Sequence, residues 1–273
     1  MGSPPQPDQH SPSTSYYASA SGTGPDLTVD EGTLRQQLSH YAQKTYGQGF
    51  VAATDGNLSA RLPRRGRSEY LISPSGVSLG ELDPESFVRV DRHGEPLPPY
   101  PRLRPSSEFR MHLAVYENRP DVQAIVHAHP PITLGFSIAG RSLAGCVLPE
   151  VVVGLGAIQT IEYTTPTTQE TADLVGRMIV ERDALILDRH GTVTVGHDVR
   201  DAYLKLEKVE HTAHISFVAQ SLGRIRTLPE DEVARLLEMR KASGLPPIDA
   251  QELLQRPIPN CNNCGLGCQS SCS

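Results

Sequence analysis

Lysine is scarce in this sequence. There are four, Lys44, Lys205, Lys208 and Lys241, and no basic run is long enough to track a nucleic-acid backbone. The densest, RLPRRGR at residues 61–67, reads as a loop between strands. A net charge of −6 and a pI near 5.9 also argue against non-specific binding to nucleic acid. An anionic small substrate stays open, because a local pocket can be basic inside an acidic protein. Long apolar runs are missing as well, and no segment approaches the roughly 20 residues of a membrane-spanning helix. The N-terminus, MGSPPQPDQHSPSTSYYASASGTGPD, has no basic start followed by an apolar core, so it does not read as a secretory signal. The expectation is a soluble, cytoplasmic protein with neither nucleic-acid nor membrane partners.

Cysteine is nearly absent until the end. Cys146 stands alone, whereas Cys261, Cys264, Cys268 and Cys272 crowd into CNNCGLGCQSSCS with C-x2-C-x3-C-x3-C spacing. That spacing can close around zinc or an iron–sulfur cluster, or belong to a flexible tail that forms disulfides on oxidation. Apolar residues make up 38%, and 23 Pro with 23 Gly point to irregular ends around one core. Residues 1–26, rich in Ser, Pro and Gly, suit a disordered arm. Residues 27–245 carry the apolar patterning of one domain, and residues 246–273 form the cysteine-bearing tail.

Within that domain, LTVDEGTLRQQLSHYAQKTY predicts a helix from near Asp30, and GQGFVAATDGNLSARL a glycine-punctuated stretch that becomes extended. Strands follow at Tyr70–Ser73, with a turn at Pro74–Gly76, and in FVRVDRHGEPL, running into a His93–Gly94 turn. Ser106 is expected to cap a helix from Ser107 to about Asn118, stopped by Pro120. The strand ending in HAH comes next, then a short helix over Thr133–Ala139, and VVVGLGAIQTIEY reads as loop and strand. TTQETADLVGRMIVER is amphipathic, ALILDRHGTVTVG gives two strands joined at Arg189–Gly191, and Val199–Ser221 and LPEDEVARLLEMRKAS close the core as helices. Some strands alternate with helices while others are hairpin neighbours. The fold class expected is therefore α/β, a single domain with a mixed central β-sheet sandwiched between α-helical layers.

VQAIVHAHPP raises the chemical question. Side chains alternate along a strand, so His127 and His129 face one way, about 7 Å apart, and can converge on one ion. Alternatively, one is packing and the other coincidence. Glu108, in the first turn of the preceding helix, reads either as a helix-dipole partner or as a carboxylate beside that ion. His190, before a glycine turn, reads as a turn histidine or a third ligand.

GNLSAR (Gly56–Arg61), SPSG (Ser73–Gly76), SSE (Ser106–Glu108), HAH (His127–His129) and RHG (Arg189–Gly191), in that order, resemble the class II aldolase/adducin head-domain family. The similarity is closest to its L-fuculose-1-phosphate aldolase-like enzymes and covers roughly Asp30 to Leu237. It implies zinc, or another divalent metal, on His127, His129 and His190, with Glu108 as an acid/base that also reaches the metal. It implies that Thr54, Gly56, Asn57, Ser75, Gly76, Ser106 and Ser107 hold a substrate phosphate, and that the assembly is a homotetramer with sites between subunits. The implied reaction is retro-aldol cleavage of a ketose 1-phosphate. A dehydratase, decarboxylase or 4-epimerase on the same metal site is the alternative. A Schiff-base lysine is not, since none lies near the motifs. A non-catalytic module of the adducin kind fits poorly with an intact set of ligands.

One departure is visible. Leu148 falls where the fuculose-phosphate enzymes carry a tyrosine, and the nearest ionisable group is Glu150, a solvated loop carboxylate or a second acid/base. Tyr163 is another source of a hydroxyl. His112, His211 and His214 read as packing or surface residues.

Overall fold

A computed structural model describes residues 30–63, 68–99, 102–248 and 253. The N-terminal arm, most of the basic RLPRRGR loop and the cysteine cluster lie outside the described residues.

Helix α1 (Glu31–Gly47) begins where the Asp30 carboxylate accepts the Thr33 N–H at 2.9 Å, and it buries Leu34, Leu38 and Ala42 at i, i+4 and i+8. Three strands follow, β1 (Asn57–Leu62), β2 (Glu69–Ile72) and β3 (Val88–Asp91). Next come α2 (Phe109–Asn118), β4 (Ala124–Ala128), α3 (Pro131–Ile138) and α4 (Pro149–Gly154). The chain continues through β5 (Gln159–Ile161), α5 (Gln169–Met178), β6 (Ala184–Leu187), β7 (Gly191–Gly196), α6 (Val199–Leu222) and α7 (Glu230–Ala242).

The strands form one seven-stranded sheet in the order β3, β2, β1, β4, β7, β6, β5. All neighbours are antiparallel except β5 and β6, so the sheet is mixed, as the sequence predicts. Leu38, Tyr203 and Leu206 of α1 and α6 pack on one face against Leu58, Ala60 and Val126. Val115 and Val175 of α2 and α5 pack on the other against Ile125, Leu185 and Val193. Covered on both faces, the central strands are largely apolar, and their buried Ser59, Thr192 and Thr194 hydroxyls are hydrogen-bonded. Strand β4 lies between β1 and β7, with His127 opposite Asn57 on one side and Val193 on the other.

Two elements differ from expectation. Helix α2 starts at Phe109, not Ser107, because the Ser106 hydroxyl accepts the Glu108 N–H at 3.3 Å and shapes a turn ahead of the helix. PEVVVG, read as loop, is helical. Pro149 sits at its first position, and Val151, Val152 and Val153 are buried, two of them against Val233, Leu236 and Leu237 near α7. Tertiary burial overrides the weak helix propensity of three valines.

Candidate metal centre

Three elements aim four side chains at one point. Glu108 ends the turn before α2, His127 is on β4 and His129 directly follows it, and His190 ends the β6–β7 turn; their ligand atoms all lie within 4.8 Å of one another. The Glu108 carboxylate is 3.1 Å from His127 Nε2 through one oxygen and 3.1 Å from His190 Nε2 through the other. His129 Nε2 is 3.1 Å from His127 Nε2. Metal–ligand bonds of about 2.0–2.1 Å in a tetrahedron separate donors by about 3.3 Å. Three nitrogens and one oxygen at that spacing suit a divalent ion of the zinc class.

Each ligand is held from behind. His127 is fully buried and its Nδ1 donates to the Thr192 carbonyl at 2.9 Å, which turns Nε2 toward the cluster. His129 is tied through its N–H to the Phe50 carbonyl, and its Nδ1 lies 3.6 Å from Asp55. The Ser137 hydroxyl accepts the Arg189 N–H and donates to Asp188, fixing the turn that carries His190. Arg189 holds a positive φ of 54° there. Gly191 leaves no space for a side chain, since a Cβ would stand 2.7 Å from the His129 ring.

The charges in the cluster shape one another. Burial opposes ionisation of Glu108, but the charge and hydrogen bonds of His127 and His190 outweigh it and hold the carboxyl well below its usual range. Burial likewise opposes a charge on His127, yet Glu108 and the Thr192 carbonyl raise that imidazole above its ordinary value. His129 is pushed down to about 3, first by burial and then by its imidazole neighbours, so it stays a neutral donor.

Of the residues assigned to phosphate, Gly56, Asn57 and Ser106 adjoin residues of the cluster. The SPSG turn and the SSE segment are joined by a bridge between Pro74 and Pro105 and by Ser75 N–H to Arg104 and Ser106 N–H to Ser73. Thr54, Ser75, Gly76 and Ser107 are exposed there, and Ser106 is half-buried. Gly56 has a φ of 75°, and a Cβ would lie 2.9 Å from the His127 carbonyl oxygen, so only glycine allows that approach. Asn57 is buried, and its Nδ2 donates to Glu108 at 3.0 Å.

Other sequence candidates land elsewhere. Glu150 is exposed on α4 and lines a groove of about 1070 Å³ with Leu148 and Lys208; none of the four clustered residues lines it. The Tyr163 ring lies 5.2 Å from the Arg189 guanidinium, one residue from His190. His211 and His214 are exposed, and His112 is fully buried. Lys44 sits over the Tyr203 ring and Lys205 pairs with Asp183 and Asp201, away from the centre. Sequence reasoning missed Asp55 behind His129, the Asn57 contact to Glu108, and the Ser137–Asp188 brace. Only the last had a local signal, an acidic residue before the RHG turn.

The model of the class II aldolase and adducin N-terminal domain matches residues 36–217, two thirds of the chain. The chain is 30% identical over 210 residues to the 5-deoxy-D-ribulose 1-phosphate aldolase of Bacillus thuringiensis serovar kurstaki, covering 77% of this chain and 96% of that protein. It is also 30% identical over 215 residues to the 3-oxo-tetronate 4-phosphate decarboxylase of Escherichia coli K12, covering 77% and 98%. A solved L-fuculose 1-phosphate aldolase superposes with a TM-score of 0.67 at 28% identity, covering 76% of this chain and 96% of that one. Aldolases and decarboxylases are both lyases, and the cluster suited to a divalent metal is intact here. The chain belongs to the class II aldolase and adducin family, as a metal-dependent lyase.

Proposed function

We propose that this protein is a zinc-dependent aldolase that cleaves a ketose 1-phosphate into dihydroxyacetone phosphate and an aldehyde. Substrates of the fuculose, rhamnulose, 5-deoxyribulose or methylthioribulose 1-phosphate type fit the reading. The observation that carries it is the convergence of Glu108, His127, His129 and His190 beside the SPSG and SSE turns.

In such a cleavage the bond between carbons 3 and 4 breaks, its electron pair stays beside the ketone, and the hydroxyl on carbon 4 loses its proton as the aldehyde forms. A divalent ion on His127, His129 and His190 supplies the Lewis acid for that charge. Glu108, oriented by Asn57, takes up that proton and returns it to carbon 3. Thr54, Gly56, Asn57, Ser75, Gly76, Ser106 and Ser107 offer hydroxyls, amides and close backbone approach to the phosphate. A homotetramer with sites between subunits belongs to the same reading; the exposure of Ile138, Phe217 and Leu222 supports a covered surface in the assembly.

Decarboxylation of a phosphorylated 3-oxo acid is the second reading. The Escherichia coli relative favours it, as does Leu148 in place of a tyrosine. Both reactions leave charge on a carbon beside a ketone. The deciding experiment incubates zinc-loaded wild type and His129→Ala with a panel of ketose 1-phosphates and with 3-oxo-tetronate 4-phosphate. Dihydroxyacetone phosphate and an aldehyde released together from a ketose 1-phosphate by wild type and not by the variant support the aldolase. Carbon dioxide released with dihydroxyacetone phosphate from 3-oxo-tetronate 4-phosphate, with no ketose 1-phosphate cleaved, supports the decarboxylase, and no turnover of any panel member refutes both.

A further inference from the structure

Three buried side-chain polar atoms among the described residues have no hydrogen-bond partner, and two of them are Asn57 Oδ1 and His112 Nε2. Buried polar atoms left unpaired are uncommon in native proteins, so two on adjacent elements call for a cause. Glu108 and His112 are four residues apart at the start of α2 and share a face. Asn57 and Ser59 are two apart on β1 and share a face. The pairs form two neighbouring rungs: Asn57 Nδ2 donates to Glu108 at 3.0 Å, and Ser59 Oγ meets His112 Nδ1 at 2.6 Å. The unpaired atoms belong to these same two rungs.

The protons can be followed. Burial raises the Tyr116 hydroxyl well above its ordinary value, so it keeps its proton, and Ser59 Oγ at 2.8 Å is its one hydrogen-bond partner among the described residues. Tyr116 therefore donates to Ser59, and Ser59 passes its own proton toward His112 Nδ1. Burial holds the His112 ring neutral at a pKa of about 3. A neutral ring that accepts at Nδ1 carries its hydrogen on Nε2. One orphan is thus a donor. The other, Asn57 Oδ1, is an acceptor, because the amide must turn Nδ2 toward the ionised Glu108.

We propose that one buried water joins His112 Nε2 to Asn57 Oδ1 and completes a chain from Tyr116 through Ser59, His112 and Asn57 to Glu108. A water in such a place needs two or more polar partners, and these atoms supply them. The chain makes His112 a positioning residue: it fixes which way the Asn57 amide faces, and through Asn57 it holds the Glu108 carboxylate. This rests on Glu108 being the proton carrier of the reaction, and its structural test does not.

That test is a crystal structure of the zinc-loaded protein at a resolution that places ordered waters, for wild type and His112→Asn. Expected are one water within hydrogen-bond distance of both atoms in wild type, and an Asn57–Glu108 hydrogen bond that breaks in the variant. Absence of the water, or an Asn57–Glu108 contact unchanged in His112→Asn, overturns the proposal even if no substrate has been found. Where an aldolase substrate is in hand, kcat of His112→Asn should fall about tenfold or more with bound zinc unchanged. His112→Gln, whose amide N–H lies near the place of Nε2, should recover most of that loss. In an Asn57→Ala background, His112→Asn should cost nothing further; fully additive losses overturn the chain. If His112→Asn does not fold, the wild-type water and His112→Gln still decide.

Discussion

Gly191→Ala tests the claim that the geometry of the centre depends on strand packing. A methyl group there would stand 2.5 Å from the Ala128 carbonyl oxygen, 2.7 Å from His129 Cδ2 and 3.0 Å from His127 Cε1. Carbon atoms in ordinary contact are about 3.5–4.0 Å apart, so each contact is short by roughly half an ångström or more. The His129 ring can swing aside. The Ala128 carbonyl cannot, because it is backbone paired with Thr192 across β4 and β7, and it accepts the Thr192 hydroxyl at 3.2 Å. The strands must part at the end that carries His127 and His129. Overpacking of this kind costs about 1–3 kcal/mol. Relieved by opening the ligands, the same energy weakens zinc binding about 5- to 150-fold, at about 1.4 kcal/mol per tenfold. Competition against a chromophoric chelator measures that constant. Gly135→Ala in α3 is the control: nothing lies within 4 Å of its added methyl, and alanine favours a helix interior. A Gly191→Ala protein that binds zinc within about twofold of wild type and melts at the same temperature would refute the packing argument.

Glu210 is buried on α6, and its carboxylate accepts Ile132 N–H, Thr133 N–H and the Thr133 hydroxyl at 2.9, 2.8 and 2.6 Å. Glu210→Gln leaves one of these donors facing an amide NH2, so a urea titration should show a loss of about 1–3 kcal/mol; an unchanged midpoint sinks the capping role. Burial depresses the His112 pKa to about 3, so the unfolded chain takes up a proton that the fold refuses. Stability from this group is complete above its unfolded pKa near 6.5 and is lost as pH falls toward about 3, at about 1.4 kcal/mol per unit. His112→Gln should therefore flatten stability against pH between about 6 and 4 by one proton, and parallel curves would show that the ring is not held neutral. Serine at all four of Cys261, Cys264, Cys268 and Cys272 should leave one zinc per chain on the histidines, counted by elemental analysis. Loss of that zinc would place the metal in the tail instead.

Much of this protein is determined by its sequence alone. Helix and strand periods repeat every few residues, so α1 with its Asp30 cap, β4 with His127, and α6 are fixed by neighbours along the chain. The residues of the candidate cluster were legible for the same reason, because HAH, SSE and RHG are local patterns. Only the tertiary structure decided the rest. Val151, Val152 and Val153 became helical because tertiary packing buries them, Val152 and Val153 against α7 and Val151 against Val209 and Ala213 of α6. Glu150 faces a groove apart from the metal centre because α4 carries it there. Asn57 reaches Glu108, 51 residues away, because β1 pairs with β4 in one register and α2 packs over both. A one-residue slip in that register would turn His127 to the opposite face, and no local pattern fixes such a pairing.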